Sequence, residues 1–509
     1  MMKQIPYGLT DFGRIQKENY YYVDKTMFIE KIEMQPSYLF LIRPRRFGKS
    51  LTLAMLEAYY DVRYADQFDE LFGHLYIGQH PTLKGDIKIY LLIDEYDNFT
   101  NTILSTYGTD LYRKATHGEG YIRRFFNVIK AATTGMGSAV NRLFITGVSP
   151  VTMDDVTSGF NIGTNITTDP WFNDLVGFSE KELREMLTYY KEQGALPMSV
   201  DDAVTMMKPN YDNYCFSKNK LADCMFNSDM VLYCMKSLIL HGVKPKEIVD
   251  PNIRTDFNKL AYLVRLDHGL GENFSVIKEI AEQGEIVTEI VTHFSALEMT
   301  DVGNFKSLLF YFGLLSIKGV DMMGRPILHI PNLVVREQLF NFLIQGYARH
   351  DIFKLDVNRL RTLFENMSFK GDWKPLFEFL AEAIREQSRI REYIEGEAHI
   401  KGFLLAYLSM FRYYQLYPEY EMNKGFADFF FKPSPAAPVS PPYTYLLEVK
   451  YAKAGASEKE IRALADDARE QLIRYSKDEC VAEAREKGGL KLATIVWRSW
   501  ELVLMEEVS

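Results

Sequence analysis

The sequence predicts an α/β protein of about three domains, and three observations support this expectation. Apolar runs of strand length alternate with helical patterns in the first third of the chain, helical periodicity dominates the middle, and strand patterns return near the end. A length of 509 residues also suits about three domains. We expect a parallel-sheet domain over residues 1–175, a helical region over 176–375 and a small α/β domain over 376–509.

Composition and charge exclude several classes of protein. The chain is 47% hydrophobic and 25% charged, which is typical of a globular protein and not of a disordered or collagen-like one. Its net charge of −9 means that contact with a polyanion must come from local basic patches. Four cysteines without a Cys-x-x-Cys pair argue against a zinc site or disulfide framework, so we expect a cytoplasmic location. The apolar runs are far shorter than the roughly 18 residues of a membrane span, so we expect no membrane partner.

The first region alternates strands and helices in the order typical of a parallel sheet. Apolar residues at Tyr38–Ile42, 89–93 and Arg142–Gly147 predict three buried strands. Residues 51–60 and Tyr121–Ala132 have the apolar spacing of helices. This rhythm of strand, helix and strand favours an α/β domain with parallel strands.

The segment between the first strand and its helix carries a phosphate-binding pattern. Gly48, Lys49 and Ser50 follow a buried strand and open a helix, which is the setting of a P-loop. In a P-loop, backbone N–H groups face the phosphates, the lysine reaches the outer phosphates and the serine hydroxyl binds Mg²⁺. The nucleotide-binding residues expected here are Arg45, Arg46, Phe47, Gly48, Lys49 and Ser50. Arg43 stands in place of the usual first glycine; the arginines of this loop would contact phosphates or form structural ion pairs.

An acidic motif further along the chain predicts the second half of the same site. The apolar run 89–93 ends in Asp94 and Glu95, which is the Walker B pattern. The aspartate would hold Mg²⁺ and the glutamate would polarise an attacking water, while Thr146 would sense the terminal phosphate. Each motif also occurs by chance, but both in one α/β domain predict ATP and Mg²⁺ as cofactors.

Several strings of this sequence resemble those of a known family. They are IPYG at 5–8, YVDKT at 22–26, RPRRFGKS at 43–50 and LIDEYD at 92–97. They resemble the AAA-ATPase-like family of bacterial proteins, in which an arginine at the position of Arg43 is usual. The resemblance extends over nearly the whole chain. It implies a P-loop NTPase-like domain and, because such proteins often end in one, a C-terminal PD-(D/E)XK nuclease-like domain.

One part of the first domain departs from the family pattern. Relatives usually carry another strand and a helical segment between the P-loop helix and the acidic strand. Here only residues 81–86 separate His80 from Ile87. We therefore expect a nucleotide domain that is short between Ser50 and Asp94, with a sheet that lacks a central strand, and this shortening bears on ATP hydrolysis.

The middle region has mostly helical patterns. Ser179 and Glu182 have the spacing of a capping box and predict the start of a helix. A short strand pattern at 327–331 lies beside helical stretches, and it is compatible with a winged-helix-like unit.

The last region has strand patterns that carry a carboxylate–lysine constellation. Predicted strands cover 425–432 and 443–449. Asp428 lies in the first, and Glu448 and Lys450 follow in the second, where a spacing of two places both side chains on one face. This is the PD-(D/E)XK arrangement of a restriction-endonuclease-like domain.

The chemistry of that arrangement is metal-assisted phosphodiester hydrolysis. Two carboxylates hold Mg²⁺, a hard cation that prefers oxygen ligands, and the metal lowers the pKa of a bound water. The lysine orients that water or stabilises developing negative charge. The residues expected to be catalytic are Asp428, Glu448, Lys450 and, in the first domain, Glu95. The residues expected to bind metal are Asp428, Glu448, Glu397, Ser50 and Asp94.

Two hypotheses of different classes stay open at this point. The first is an ATP-binding, Mg²⁺-dependent nuclease that acts on nucleic acid, with DNA as the expected substrate. The second is a nucleotide-binding switch or scaffold without catalysis, because a Glu-x-Lys triplet is also common as a simple ion pair on an exposed strand. The last region is slightly acidic, so a nuclease would need a basic strip. Candidates for that strip are Lys424, Lys432, Lys450, Lys453 and Arg474. Homo-oligomer formation also stays open.

Overall fold

The chain forms two compact units. The first unit spans residues 1–268 and 285–335, and the second spans 269–284 and 336–509. The three-domain division expected from the sequence stays a prediction. The computed structural model describes residues 2–82, 87–98, 102–103, 109–118, 120–134, 138–151, 163–245, 248–250, 272–295, 298–299, 301–349, 352–391, 396–435, 437 and 439–508.

The described residues form both helices and strands. In chain order the helices are α1 (Phe12–Lys17), α2 (Phe28–Glu33), α3 (Lys49–Tyr60), α4 (Phe68–Phe72), α5 (Tyr76–Gln79), α6 (Thr109–Thr116), α7 (Tyr121–Ala132), α8 (Glu180–Glu192), α9 (Val200–Tyr211), α10 (Ser228–His241), α11 (Glu272–Gln283), α12 (Val302–Tyr311), α13 (Leu333–Arg349), α14 (Val357–Lys370), α15 (Lys374–Glu386), α16 (Ser388–Arg391), α17 (Glu397–Leu408), α18 (Glu458–Tyr475) and α19 (Ala482–Glu486). The strands are β1 (Tyr38–Ile42), β2 (Tyr90–Ile93), β3 (Arg142–Gly147), β4 (Thr164–Asn165), β5 (Glu285–Val287), β6 (Ser316–Val320), β7 (Pro326–His329), β8 (Tyr414–Met422), β9 (Gly425–Pro433), β10 (Thr444–Ala452), β11 (Leu490–Arg498) and β12 (Glu501–Val508). Within the described part of the chain, no helix has both the length and the apolar character that crossing a membrane requires.

The first unit contains a parallel sheet, as the alternating pattern predicts. Its described strands pair in the order β2-β3-β1-β4, and every pairing is parallel. Strands β1 and β3 are buried along almost their whole length, which explains their continuous apolar sequences. Parallel strands place the carboxyl ends of β1, β2 and β3 at one edge of the sheet, where open α/β sheets bind their ligands.

The connection before β2 is short, and it contributes no strand to the described sheet. Strand β2 lies at one end of the described sheet, pairs with β3 and is only half-buried. Strand β3 pairs in turn with β1 along its length. A sheet that lacks a strand closes up on its neighbours, so this continuous pairing does not test the prediction of a missing central strand, which stays a prediction. Residues 83–86 of the connection lie outside the described residues.

Local capping fixes where two of the helices begin. The Ser179 hydroxyl accepts a hydrogen bond from the Glu182 backbone N–H, and the Glu182 carboxylate accepts one from the Ser179 N–H. This reciprocal pair is the predicted capping box, and α8 starts immediately after it. Ser457 and Glu460 form the same box before α18.

The second unit is built on a mixed sheet in the order β12-β11-β10-β9-β8. Strands β10 and β11 are parallel, and the other neighbouring strands are antiparallel. On one face, Leu472 and Tyr475 of α18 join a buried core with Leu446 of β10. The predicted small α/β domain is therefore confirmed, although β8 has no counterpart among the strands predicted from the sequence.

Elsewhere in the first unit, β5, β7 and β6 form a small antiparallel sheet, and β7 corresponds to the strand expected at 327–331. The winged-helix-like reading of this part stays a prediction.

Candidate nucleotide and metal sites

The P-loop turns sharply between β1 and α3. Gly48 has φ of 100° and Arg46 has φ of 67°, both in the left-handed region, where glycine is far less strained than other residues. Helix α3 then starts at Lys49, so the N–H groups of its first turn face the loop. The Lys49 ammonium donates to the carbonyl oxygens of Arg43 at 3.0 Å and Pro44 at 2.9 Å. Burial lowers the pKa of Lys49 to about 8, although Asp97 and other acids nearby oppose that shift.

Arg43 has a structural position at the base of this loop. Its buried guanidinium donates to the backbone carbonyls of Ile42, Thr167 and Phe172. It also lies over the ring of Phe216, 4.2 Å from the ring centroid. The sequence left open a phosphate contact or a structural ion pair for the arginines of this loop. Arg43 has neither of these roles, because it binds carbonyl groups and an aromatic ring.

Three predicted residues of the nucleotide site meet at Asp94. The Ser50 hydroxyl donates to one Asp94 carboxylate oxygen at 2.5 Å, and the Thr146 hydroxyl donates to the other at 2.6 Å. These side chains come from the start of α3, the end of β2 and the end of β3. Their oxygens are the kind of ligand that Mg²⁺ prefers. The donor set therefore fits a magnesium ion bound with nucleotide phosphates.

A neighbouring acid, Asp97, holds the loop that follows β3. Its buried carboxylate accepts hydrogen bonds from the backbone N–H groups of Val148 at 3.1 Å and Ser149 at 3.0 Å. A side chain at Gly147 would clash, because its Cβ would lie 2.3 Å from Tyr96. Asp97 thus positions the end of β3 and, with it, Thr146. The sequence contained Asp97 in a family string but no signal of this role.

A cavity of about 380 Å³ lies beside the P-loop. The residues that line it from the predicted site are Arg45, Arg46, Phe47, Gly48, Lys49, Ser50 and Glu95. Apolar residues Ile15, Leu175 and Met186 form another part of its wall. A cavity of this size with one polar and one apolar part suits a small organic ligand that carries charged groups.

Two loop residues are also tied to the rest of the unit. The buried Phe47 ring packs edge-on against Tyr214 and Phe216, with centroid distances of 4.9 and 5.5 Å. Arg46 lies 3.5 Å from the carboxylate of Asp229, the second residue of α10. Burial raises the pKa of Asp229 to about 6, while Arg46 lowers it in part.

The carboxylate–lysine residues of the second unit come together as their strand positions predict. The Asp428 carboxylate accepts from the Val449 backbone N–H at 2.8 Å, and Glu448 accepts from the Asp428 N–H at 3.2 Å. Asp428 and Glu448 are 5% and 1% exposed, so these two acids lie together away from water. Burial, and after it the charge of Asp428, raises the pKa of Glu448 to about 8. Two buried acids this close together favour a bound cation, because its positive charge offsets their lost hydration.

Lys450 lies beside this pair and is held by helix α18. Its ammonium is 3.4 Å from the Glu448 carboxylate and 3.6 Å from that of Asp467, and it donates to the Gln471 side chain at 3.1 Å. Gln471 in turn donates to Asp467 at 2.8 Å. The sequence gave no signal that Asp467 takes part in this site.

The acid expected from the preceding helix, Glu397, is joined by a lysine that the sequence did not single out. Lys401 follows Glu397 by one turn of α17, and its ammonium lies 2.7 Å from that carboxylate. It also lies 2.6 Å from Asp428 and 3.3 Å from Glu419 of β8. Among the described residues, no group of three His, Cys, Asp or Glu side chains has the spacing of a preformed metal centre. Instead, the ammonium group of Lys401 contacts the carboxylates of Glu397, Glu419 and Asp428.

The proposed basic strip is only loosely formed. Lys424, Lys432, Lys453 and Arg474 are all exposed, and Lys450 is the member that reaches the acids.

Two regions of the chain match models of known protein families. Residues 6–86 and 82–157 match the family described as a predicted AAA-ATPase. Residues 395–507 match the PD-(D/E)XK nuclease superfamily. The first family is matched in two segments that meet at residues 82–86, which is where the connection before β2 is short.

The chain is also similar to a protein of Azotobacter chroococcum mcd 1, described as an uncharacterized protein in the vnfD 5′ region. The two sequences are 26% identical over 236 residues, and the match covers 36% of this chain and 44% of the relative. The match thus spans less than half the length of that relative. No solved structure matches this chain significantly.

The role of Asp97 predicts a loss of stability when its carboxylate is removed. In Asp97→Ala, two buried N–H groups lose a charged acceptor, so we expect the free energy of unfolding to fall by about 3 kcal/mol. Chemical denaturation of the full chain measures this change. The exposed neighbour Asn98 provides the control, because Asn98→Ala should change stability by less than about 0.5 kcal/mol. Equal effects of both substitutions would contradict the assigned role.

The burial of Asp229 predicts a dependence of stability on pH. Its folded pKa of about 6 lies above its ordinary value of 3.8, so the folded chain holds an extra proton between these values. The free energy of unfolding contributed by this group therefore falls as pH rises from about 4 to about 6. We expect Asp229→Asn to gain in melting temperature relative to the wild type between pH 4.5 and pH 7.5. A difference that stays constant across this range would contradict the prediction.

Proposed function

This chain combines a predicted AAA-ATPase region with a PD-(D/E)XK nuclease superfamily region, and on that premise we propose that it is an ATP-binding protein with a Mg²⁺-dependent nuclease activity. The second unit would hydrolyse a phosphodiester bond of nucleic acid, with DNA as the expected substrate. The first unit would bind ATP and hydrolyse it.

The observation that carries the nuclease proposal is the convergence of Asp428, Glu448 and Lys450. The two acids are buried side by side, and the lysine is held 3.4 Å from Glu448. The carboxylate oxygens suit a hard cation, and the ammonium of Lys401 within 2.6 Å of Asp428 supports the view that a positive charge is favoured here.

Each residue of the proposed nuclease site has a distinct task. Asp428 and Glu448 would hold Mg²⁺, and Glu397 of α17, expected from the sequence as a further ligand, would stay paired with Lys401. Bound there, the metal supplies a water of lowered pKa and polarises the phosphate. Lys450, oriented by Gln471 and Asp467, would position the attacking water or stabilise negative charge on the phosphate.

The nucleotide proposal depends on the P-loop and the Asp94 junction. Lys49 would exchange its contacts with backbone carbonyls for contacts with phosphate oxygens, and Ser50 and Asp94 would hold Mg²⁺. Glu95 lines the same cavity and would polarise the attacking water, while Thr146, bonded to Asp94, would respond to the terminal phosphate. The apolar wall of the cavity offers a surface for the base.

A second candidate function is favoured by one observation. Lys401 already neutralises part of the acidic cluster without any metal, so the second unit is also suited to a binding role without catalysis. In this alternative the chain is a nucleotide-binding switch or scaffold. Phosphate release from ATP and cleavage of DNA separate the two possibilities.

Removal of a charged group from the proposed nuclease site should strongly reduce cleavage. We expect Glu448→Gln and Lys450→Met each to lower Mg²⁺-dependent cleavage of plasmid or single-stranded DNA by about 100-fold or more. Lys459→Met changes an exposed lysine of α18 that lies outside the proposed basic strip, and it is the matched control. Cleavage that persists in both site variants, or a wild type that leaves DNA and RNA intact with Mg²⁺ and Mn²⁺, would count against the nuclease.

Removal of the P-loop ammonium should weaken nucleotide binding. We expect Lys49→Ala to raise the Kd of a fluorescent ATP analogue about tenfold or more, because a charge-assisted contact with phosphate is lost. Lys88→Ala, at an exposed position, serves as the control. Unchanged affinity in Lys49→Ala would refute the assignment of the cavity, and binding without phosphate release in the wild type would favour the switch.

A further inference from the structure

Lys401 occupies a central position in the acidic cluster of the second unit. Its ammonium lies within 3.3 Å of carboxylates from three separate elements, α17, β8 and β9. The Lys401 side chain is 18% exposed and that of Asp428 is 6% exposed, so this contact is largely removed from water. A cation–carboxylate contact at this depth is far less screened than one on the surface.

The backbone of β8 brings the third acid toward this ammonium. Glu419 has φ of 46°, a left-handed conformation that is strained for a residue other than glycine. In the register of the strands, Pro418 is opposite Phe429 and Tyr420 is opposite Ala427, so Glu419 stands across from Asp428. The local irregularity at Glu419 therefore lies at the point where β8 passes the site.

The charge of Lys401 is secured by its neighbours. Burial alone would lower the pKa of this lysine, but Asp428 and Glu397 outweigh that effect and raise the pKa above its ordinary value. Three carboxylates within 3.3 Å thus hold a positive group at this point of the acidic cluster.

The two lysines of the site are held by different partners. Lys450 contacts Glu448 and the helix α18 residues Asp467 and Gln471, whereas Lys401 contacts Asp428 from the α17 side. Asp428 thus faces a built-in cation on one side and the Glu448–Lys450 pair on the other.

We propose that the Lys401 ammonium is a resident cation that keeps a divalent ion out of the space between Glu397, Glu419 and Asp428. This inference rests on the proposed nuclease function. It means that the site takes up a single divalent ion, at Asp428 and Glu448, and that Lys401 supplies the second positive charge near the phosphate.

Counting bound metal ions tests this inference without reference to activity. Mn²⁺ is titrated into the nucleotide-free full chain and followed by electron paramagnetic resonance of the free ion. We expect the wild type to bind one ion that is lost in Glu448→Gln. We expect Lys401→Met to bind one additional ion, and neither ion should bind in the double variant Lys401→Met/Asp428→Asn, because Asp428 is a ligand of both. Lys401→Arg, which keeps the charge, and Lys459→Met, at an exposed position of α18, should both behave as the wild type.

Thermal unfolding provides a second readout in case Lys401→Met folds poorly. Without its cation, the acidic cluster is repulsive, so Lys401→Met and Lys401→Gln should melt at lower temperature than the wild type in chelator. Mn²⁺ should restore more of that loss than it adds to the wild type. Failure of Mn²⁺ to restore either variant would overturn the inference.

The outcomes separate this inference from the proposed function. If Lys401→Met binds Mn²⁺ with the stoichiometry and affinity of the wild type, the role of Lys401 is refuted while the Asp428–Glu448 site stands. If the wild type binds no ion that depends on Glu448, the metal-dependent nuclease fails; an additional, Asp428-dependent ion in Lys401→Met would still support the role of Lys401. If neither protein binds Mn²⁺, both proposals are overturned.

Discussion

Carboxylates held away from water determine the organisation of both candidate sites, because each needs a cation or hydrogen-bond donors to offset its lost hydration. In the first unit, the buried Asp97 meets this need with two backbone N–H groups, whereas the exposed Asp94 accepts hydrogen bonds from the hydroxyls of Ser50 and Thr146. In the second unit, Asp428 uses a backbone N–H and Lys401. These contacts also define which oxygens are in place to receive a metal ion.

In each unit, the pairing of the strands brings the acids and their partners together. A parallel sheet brings the ends of β1, β2 and β3 to one edge, so the phosphate loop, the acidic pair and Thr146 meet there although they lie far apart in sequence. In the mixed sheet, antiparallel pairing of β9 and β10 places Asp428 beside Glu448. Helix α17 carries Lys401, and helix α18 carries the residues that hold Lys450 of β10. The two lysines therefore approach the acids from different elements.

Much of this arrangement could be predicted from local sequence, and the exceptions have physical causes. A spacing of two residues in a strand is enough to place Glu448 and Lys450 on one face. Strand β8 escaped prediction because Pro418 interrupts its pattern; such a residue is tolerated in β8 because this strand lies at the end of the sheet order. The strand order of the parallel sheet could not be predicted, because it is set by long-range pairing, which the length of one connection does not specify.

By itself, the sequence determined the P-loop string, the acidic pair after β2 and the Glu-x-Lys triplet, since each depends on neighbours within a few residues. Only the tertiary structure decided that Arg43 donates hydrogen bonds to backbone carbonyls at the base of the loop and that Asp97 holds the end of β3. It also decided that Lys401 contacts Glu397, Glu419 and Asp428. Those positions depend on packing between elements distant in the chain. The partners of a buried charge are the groups that the fold brings near it, and the local periodicity of the sequence does not identify them.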